Sequence, residues 1–350
     1  MRGARFMFLA LVVRALLLVI ERAAGIRVDF HPDAVYYLNQ IAALETNPSL
    51  ASLVGGGLEN ILYSLVGYAL RLMTFHLIPA EYLLIAFNQV CVLFTVGVIA
   101  KMSRSQNLGA RPLLIFLAAS PYLAHLSIHP LKDMFVLLLT MLTFYYAAEG
   151  QRGRLAISGC LLILSRFYLG VAICVLTLVW THLRRRRWGW PRSIAAWLCL
   201  AVCFYFLFSA ALTGRQEVVF EGRTFYPNGF ALVPDATPVR FFLGWVLNFL
   251  VPYPFLPNGL AEVGYFLHLV LFLSLLVVSL AGHRLPLRPE GRHLALMALF
   301  LFSFVLAATP GAGPLVRYRI APEVLLLIGL NMKGKEEKSM ANLGPSEHGQ

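Results

Sequence analysis

Residues 84–100 read LIAFNQVCVLFTVGVIA, an apolar run without a charge and with only Asn88, Gln89 and Thr95 as polar side chains. A helix crossing the hydrocarbon core of a bilayer needs about 20 such residues, and a helix satisfies its own backbone there. Comparable runs recur at 134–148, 194–212 and 264–281. A soluble protein can bury one such run behind polar covering helices. This chain lacks the polar residues to build them. Of its 350 residues, 59% are hydrophobic and 13% charged, where soluble domains carry about 25% charge. The mean hydropathy is +0.73. The expected class is all-α: a polytopic transmembrane helical bundle of about 9–11 membrane helices, with further interfacial helices.

The net charge of +12 has a topological reading. Lys and Arg gather in short loops, such as Arg184–Arg187, and short basic loops mark the cytoplasmic side. No nucleic-acid partner is expected, because no exposed face interleaves basic and aromatic residues. Placing the basic loops 1–5, 101–111, 150–154, 183–192 and 282–293 inside leaves 25–57, 127–132, the turn near Arg166, 213–240 and 309–319 on the outer side. Parity then makes 58–78, with Glu59, Asn60, Arg71 and His76, an interfacial or partly inserted helix. The aromatic stretch 240–258 carries three prolines, so it reads as a re-entrant element. Residues 155–183 read as two short helices hinged near Arg166. Residues 1–332 are expected to form a single transmembrane domain, and 333–350 a polar, disordered cytoplasmic tail.

The N-terminus, MRGARFMFLALVVRALLLVI, has the basic start and apolar run of a signal sequence and reads as an uncleaved first span. Arg14 in its middle is costly at membrane depth, which calls for a polar groove. The five cysteines, Cys91, Cys160, Cys174, Cys199 and Cys203, sit in apolar runs and read as small buried hydrophobes.

Four outer-face stretches hold the candidate chemistry. IRVDFHPDAVYYLNQIAAL offers Asp29, His31, Asp33, Tyr36 and Tyr37. Asp33, after Pro32 and before a helical pattern, is either an N-cap or a carboxylate held at the boundary as a base or metal ligand. In SPYLAHLSIHPLKDMFVLLL a span ends near His129-Pro130 and another opens at Leu131-Lys132-Asp133. Asp133 suits a helix start through the dipole. Adjacent residues on a helix do not face each other, so Lys132 and Asp133 each need another partner. Arg166 in LSRFYLG requires an anion or carbonyl. Arg317 and Arg319, flanking Tyr318, are either interfacial anchors or a fork for phosphate. A divalent cation, Mg2+ or Mn2+, is expected between Asp33 and Asp133 if the two converge.

At these motifs the chain resembles membrane glycosyltransferases of the GT-C type, especially bacterial protein mannosyltransferase-like and aminoarabinose transferase-like members. The resemblance rests on Asp33-Ala-Val-Tyr36-Tyr37, on Glu59-Asn60-Ile61-Leu62-Tyr63, on Ser120-Pro121 followed by Asp133, and on Arg317-Tyr318-Arg319 followed by Pro322. It implies a GT-C-like bundle in the bacterial inner membrane. It also implies inverting transfer from a polyprenyl-phosphate-linked sugar donor to a glycan, lipid or protein acceptor on the periplasmic face. Asp33, or Asp29 beside it, would be the catalytic base or a metal ligand, and Asp133 the second acidic position. Arg317 and Arg319 would hold the donor phosphate, with Tyr37, Lys132, Arg166 and Tyr318 lining the substrate. The chain departs from the family in being shorter and in the separation of Asp29 from Asp33. His129-Pro-Leu-Lys-Asp133 and Pro252-Tyr-Pro-Phe255 also resemble O-antigen and exopolysaccharide polymerases. A lipid-linked sugar transporter is the alternative from another class, although no internal repeat of the kind transporters carry is visible.

Overall fold

A computed structural model describes residues 2–27, 31–48, 58–186, 260–281, 289–308 and 312–332, with isolated residues 195 and 199. Asp29, Cys203, residues 49–57, the loop 213–240, the aromatic stretch 240–258, most of the run 194–212 and the tail 333–350 lie outside the described residues. Among the described residues there are twelve helices and no strand. They are α1 (Arg2–Ala23), α2 (Pro32–Thr46), α3 (Leu58–Met73), α4 (Ala80–Ser105), α5 (Arg111–Ala119), α6 (Pro121–Ser127), α7 (Asp133–Glu149), α8 (Arg152–Ser165), α9 (Phe167–Arg186), α10 (Leu260–Ala281), α11 (Pro289–Ala308) and α12 (Ala312–Asn331).

Two stretches among these, Ala80–Ser105 and Val263–Ala281, are long and apolar enough to cross a membrane. That is fewer than composition leads one to expect. The apolar run at 134–148 forms a helix of 17 residues. The run after Ser105 is divided by Pro121, and α1 and α12 carry buried charges, Arg14 and Glu21 in one and Arg319 and Glu323 in the other.

The division at Pro121 explains Arg14. Proline has no N–H and biases the preceding residue to extended backbone; Ser120 sits at φ −67°, ψ 117°. Helix α5 therefore stops, and the carbonyl of Leu117 loses the donor that residue 121 would have supplied. Arg14 fills the gap: its Nη2 donates to Leu117 O at 2.9 Å and its Nε to Ser127 Oγ at 3.0 Å. A third bond runs from Nη1 to Ala10 O. The expected groove is thus the α5–α6 break itself. Ser120 caps α6 by accepting from Leu123 N.

Helices α4, α7 and α12 run between two polar ends. At one end, Gln106 donates to Glu149 at 2.9 Å and the Gly109 amide to Asn331 O at 2.8 Å. Gly150, in the left-handed region at φ 73°, closes α7 there with bonds to Ala147 and Tyr146, a glycine C-terminal motif. At the other end lie His129, Lys132, Asp133, Arg166 and Arg317. Asn88 of α4 fixes the turn between α6 and α7: its Nδ2 donates to His129 O and Leu131 O at 2.8 and 3.0 Å. The chain breaks at Arg166, in extended conformation at φ −159°, which is the expected hinge. Arg71 and His76 reach back to Glu45 of α2, at 2.6 and 3.1 Å. Arg71 holds the Glu45 carboxyl below its usual range, with His76 adding to the effect.

Helices α11 and α12 cross at Gly291 and Gly329. A methyl on Gly329 would stand 2.7 Å from Ala295 N and 2.8 Å from Gly291 O, backbone atoms that cannot swing aside. Small residues permit such close helix approach. Gly329→Ala is expected to destabilise by about 1–3 kcal/mol through overpacking. Gly97→Ala in α4, where nothing lies within 4 Å of the added carbon, is expected to stabilise by about 0.5–1 kcal/mol through helix propensity alone. Thermal unfolding in detergent compares the two. Equal effects would contradict the close crossing.

Candidate functional site

Four charged residues from four parts of the chain meet at the end of α7. Asp133, in the first turn of α7, accepts from Arg317 Nη2 at 2.7 Å and Nε at 3.1 Å through Oδ2, and from Arg166 Nη1 at 3.1 Å through Oδ1. Arg317 also donates from Nη1 to Asp33 Oδ2 at 2.6 Å. The side chain of Asp133 is 2% exposed, that of Arg317 16% and that of Asp33 51%. The cluster therefore grades from a sealed carboxylate to one open to solvent, with Arg317 spanning the two.

The local sequence explains each placement. Pro32 opens α2, so Asp33 falls in its first turn and His31, not Asp33, takes the N-cap position, without a side-chain cap bond. That corrects the N-cap reading of Asp33. Arg166 occupies the hinge between α8 and α9 and follows their break inward. Lys132 and Asp133 turn to different partners, as adjacency requires: Lys132 Nζ donates to Asn60 Oδ1 at 2.6 Å. Tyr37 OH donates to the same oxygen at 3.3 Å, and Lys132 lies 5.9 Å from the Tyr37 ring centre. Tyr36 accepts from Gln40 at 2.5 Å.

Asp33, Asp133, Lys132, Arg166, Arg317 and Tyr37 thus gather in one region. Asp29 lies outside the described residues, and Tyr318 is described only in its backbone. Arg319 turns elsewhere. It sits two positions after Arg317 on a helix, roughly 200° round the axis, and its Nε donates to Glu323 Oε1 at 2.6 Å in the interior. Glu323 also pairs with His268 at 2.9 Å, and the other ring nitrogen of His268 meets Ser120 Oγ at 2.7 Å. This Ser–His–Glu chain has the residue types of a hydrolase triad, but all three members are fully buried and Ser120 serves as a helix cap. It links α6, α10 and α12 through the interior.

Between Asp33 and Asp133 stands the Arg317 guanidinium, where Mg2+ or Mn2+ was expected. Two carboxylates already neutralised by forked donors are a poor cation site. The metal-ligand grouping among the described residues lies beside them: His31, His125 and His129. Burial first, then His125, His129 and Arg317, holds the His31 imidazole down to about 3, so it is neutral at physiological pH. Glu21, near the end of α1, accepts from His125 Nδ1 at 2.6 Å and His129 Nε2 at 2.8 Å. Of this group only His31 stands among the candidates from sequence, and Glu21 and His125 do not. The signal was present in His125-Leu-Ser-Ile-His129, a four-residue spacing that puts two imidazoles on one side, and in Glu21, an acid at the end of an apolar run.

Comparison with protein-family models, with curated proteins and with solved structures gives no match.

Proposed function

We propose that the chain is a polytopic membrane protein that transfers a sugar from a polyprenyl-phosphate-linked donor to an acceptor hydroxyl, with the Asp33–Arg317–Asp133–Arg166 cluster as its site. The observation that carries this reading is the cluster itself: a half-exposed carboxylate tied to a partly buried arginine, backed by a sealed carboxylate and a second arginine. With Lys132, three cations face two carboxylates, a surplus of positive charge suited to an anionic headgroup. The polytopic part of the reading draws on outward apolar side chains, such as Phe8, Leu16 and Val19 on α1, Phe94 on α4 and Val277 on α10. Large exposed apolar surface calls for a partner or a lipid phase.

In this reading Asp33 exchanges its bond to Arg317 for one to the acceptor hydroxyl. It takes the hydroxyl proton as the oxygen attacks the anomeric carbon. The bond from that carbon to the phosphate oxygen breaks with its electron pair on the phosphate, and Arg317, released from Asp33, neutralises it. Asp133 holds Arg317 and Arg166 in register. The site would face the periplasm of a bacterial inner membrane. No metal is required between the carboxylates, because Arg317 supplies the charge.

The test is transfer by the purified full chain in lipid, supplied with radiolabelled polyprenyl-phosphate sugars. Asp33→Asn is expected to lower the rate by roughly a hundred- to ten-thousand-fold, the usual contribution of a general base. Arg317→Ala is expected to raise the donor KM as well. Transfer that survives Asp33→Asn removes the assigned base. Sugar that crosses the bilayer with no new glycosidic bond makes the protein a transporter.

A further inference from the structure

We propose that His31, His125 and His129 form a binding site for a divalent transition metal of the Zn2+ class, with Glu21 as the carboxylate that orients two of the three imidazoles. The site is distinct from the carboxylate–arginine cluster and does not depend on the transferase reading.

The geometry is that of a three-nitrogen site. One ring nitrogen of each histidine lies within 4.8 Å of the other two, and the three ring centres are 4.6–4.9 Å apart. His31 Nε2 and His125 Nε2 are 2.9 Å apart. Tetrahedral ligands at the usual zinc–nitrogen distance stand about 3.3 Å from one another, so one ion would need His31 and His125 to part slightly and the wider separations to close.

The hydrogen bonds decide which nitrogens carry a proton and which a lone pair. A carboxylate only accepts. Glu21 therefore receives N–H donors from His125 Nδ1 and His129 Nε2. In the neutral ring, the opposite nitrogen then carries no proton: Nε2 in His125, which accepts from His31 Nε2 at 2.9 Å, and Nδ1 in His129. His129 is 2% exposed and its Nδ1 is buried with no hydrogen-bond partner. A buried unsatisfied acceptor calls for an explanation, and a metal ion supplies one. Carboxylate bonding to the far nitrogen of a ligand histidine fixes the tautomer and aims the ring, and it recurs around zinc. Here one carboxylate does so for two histidines at once.

Ligand chemistry selects the ion. Three imidazoles suit Zn2+ and its borderline neighbours, while Mg2+ prefers oxygen. Three protein ligands leave a coordination position open. The metal would also tie together three elements: the loop leading into Asp33, the end of α6 and the turn before Lys132-Asp133. Loading the site would hold Asp33 against the α6–α7 turn.

The experiment uses the full chain in detergent micelles. The protein is stripped with chelator, then titrated with Zn2+, Mg2+ or Co2+. Metal content, Tm and the visible Co2+ spectrum are read. One equivalent of Zn2+ per chain, a rise in Tm with Zn2+ and none with Mg2+, and the intense absorption of low-coordinate Co2+ are expected. His129→Ala and His125→Ala should abolish binding, Glu21→Gln should weaken it by 10–100-fold, and Asp33→Asn should leave the stoichiometry at one. Absence of stoichiometric Zn2+ in the reloaded wild type overturns the proposal, whatever the variants do. So does binding that vanishes in Asp33→Asn and persists in His129→Ala, which would return the metal to the carboxylates. The transferase reading is judged separately by sugar transfer.

Discussion

Replacement of Asp133 by asparagine is expected to destabilise the protein by about 3–5 kcal/mol, the range for breaking a buried ion pair from one side. The reason lies in what is left behind. Arg166 and Arg317 both reach Asp133, one at each oxygen, and Arg166 is almost fully buried. Without the carboxylate, two guanidiniums share a site with only Asp33 at its open edge. The helix-dipole contribution of an acid in the first turn of α7 is about 0.3–1 kcal/mol, too small to be the main effect. Because the loss comes from an uncompensated charge, adding Arg166→Gln to Asp133→Asn should restore part of it. A coupling of about 1–3 kcal/mol is expected in the double-mutant cycle, read from denaturant or thermal unfolding in detergent. Additive effects would mean that Arg166 and Asp133 act independently. The contrast is Arg22 with Glu81, an ion pair whose side chains are 35% and 22% exposed; Arg22→Ala there should lower stability by less than about 1 kcal/mol.

The all-helical class was legible because it rests on run length and composition. The breaks were legible at Pro130 and Arg166, where a proline and a stranded charge mark them, whereas the division at Pro121 emerges only in the structure. That Asp133 and Arg166 each need a partner followed from a general rule, that charges placed in apolar surroundings must find each other. What the rule does not provide is a pairing list. Arg317 and Arg319 look equivalent in sequence, yet helical rotation sends one to the carboxylates and the other into the core. Arg317 bonds both Asp33 and Asp133, since one arginine can satisfy two acids. The histidine group was missed because its parts sit at residues 21, 31, 125 and 129. Only folding brings the end of α1 to the end of α6, and the four-residue histidine spacing alone does not announce an acid a hundred positions earlier. The number of membrane crossings was least legible. A window of hydropathy counts a helix with a buried ion pair and a helix without one differently, even where packing hides the charge.

Glu323→Ala is expected to be as damaging as Asp133→Asn, about 3–5 kcal/mol, and its rescue separates structure from function. Glu323, Arg319 and His268 are all at most 1% exposed, so truncation leaves the Arg319 guanidinium buried with its main anion gone. Glu323→Gln, which keeps an acceptor of the same shape, should lose less. The decisive variant replaces both charges, Arg319→Met with Glu323→Leu. Exchanging a buried ion pair for apolar side chains of similar size is commonly neutral or stabilising, so the double variant should recover to within about 1–3 kcal/mol of wild type, the remainder being His268 Nε2 left without its acceptor. Sugar transfer is then measured on that stable protein. If Arg319 serves only the strut to His268 and Ser120, the rate stays near that of wild type while Arg317→Ala abolishes it. If the rate falls to the level of Arg317→Ala, Arg319 belongs to the donor site after all. It would then have to leave Glu323 when the phosphate arrives, a rearrangement of α12 that the buried position of both residues makes costly in the free protein.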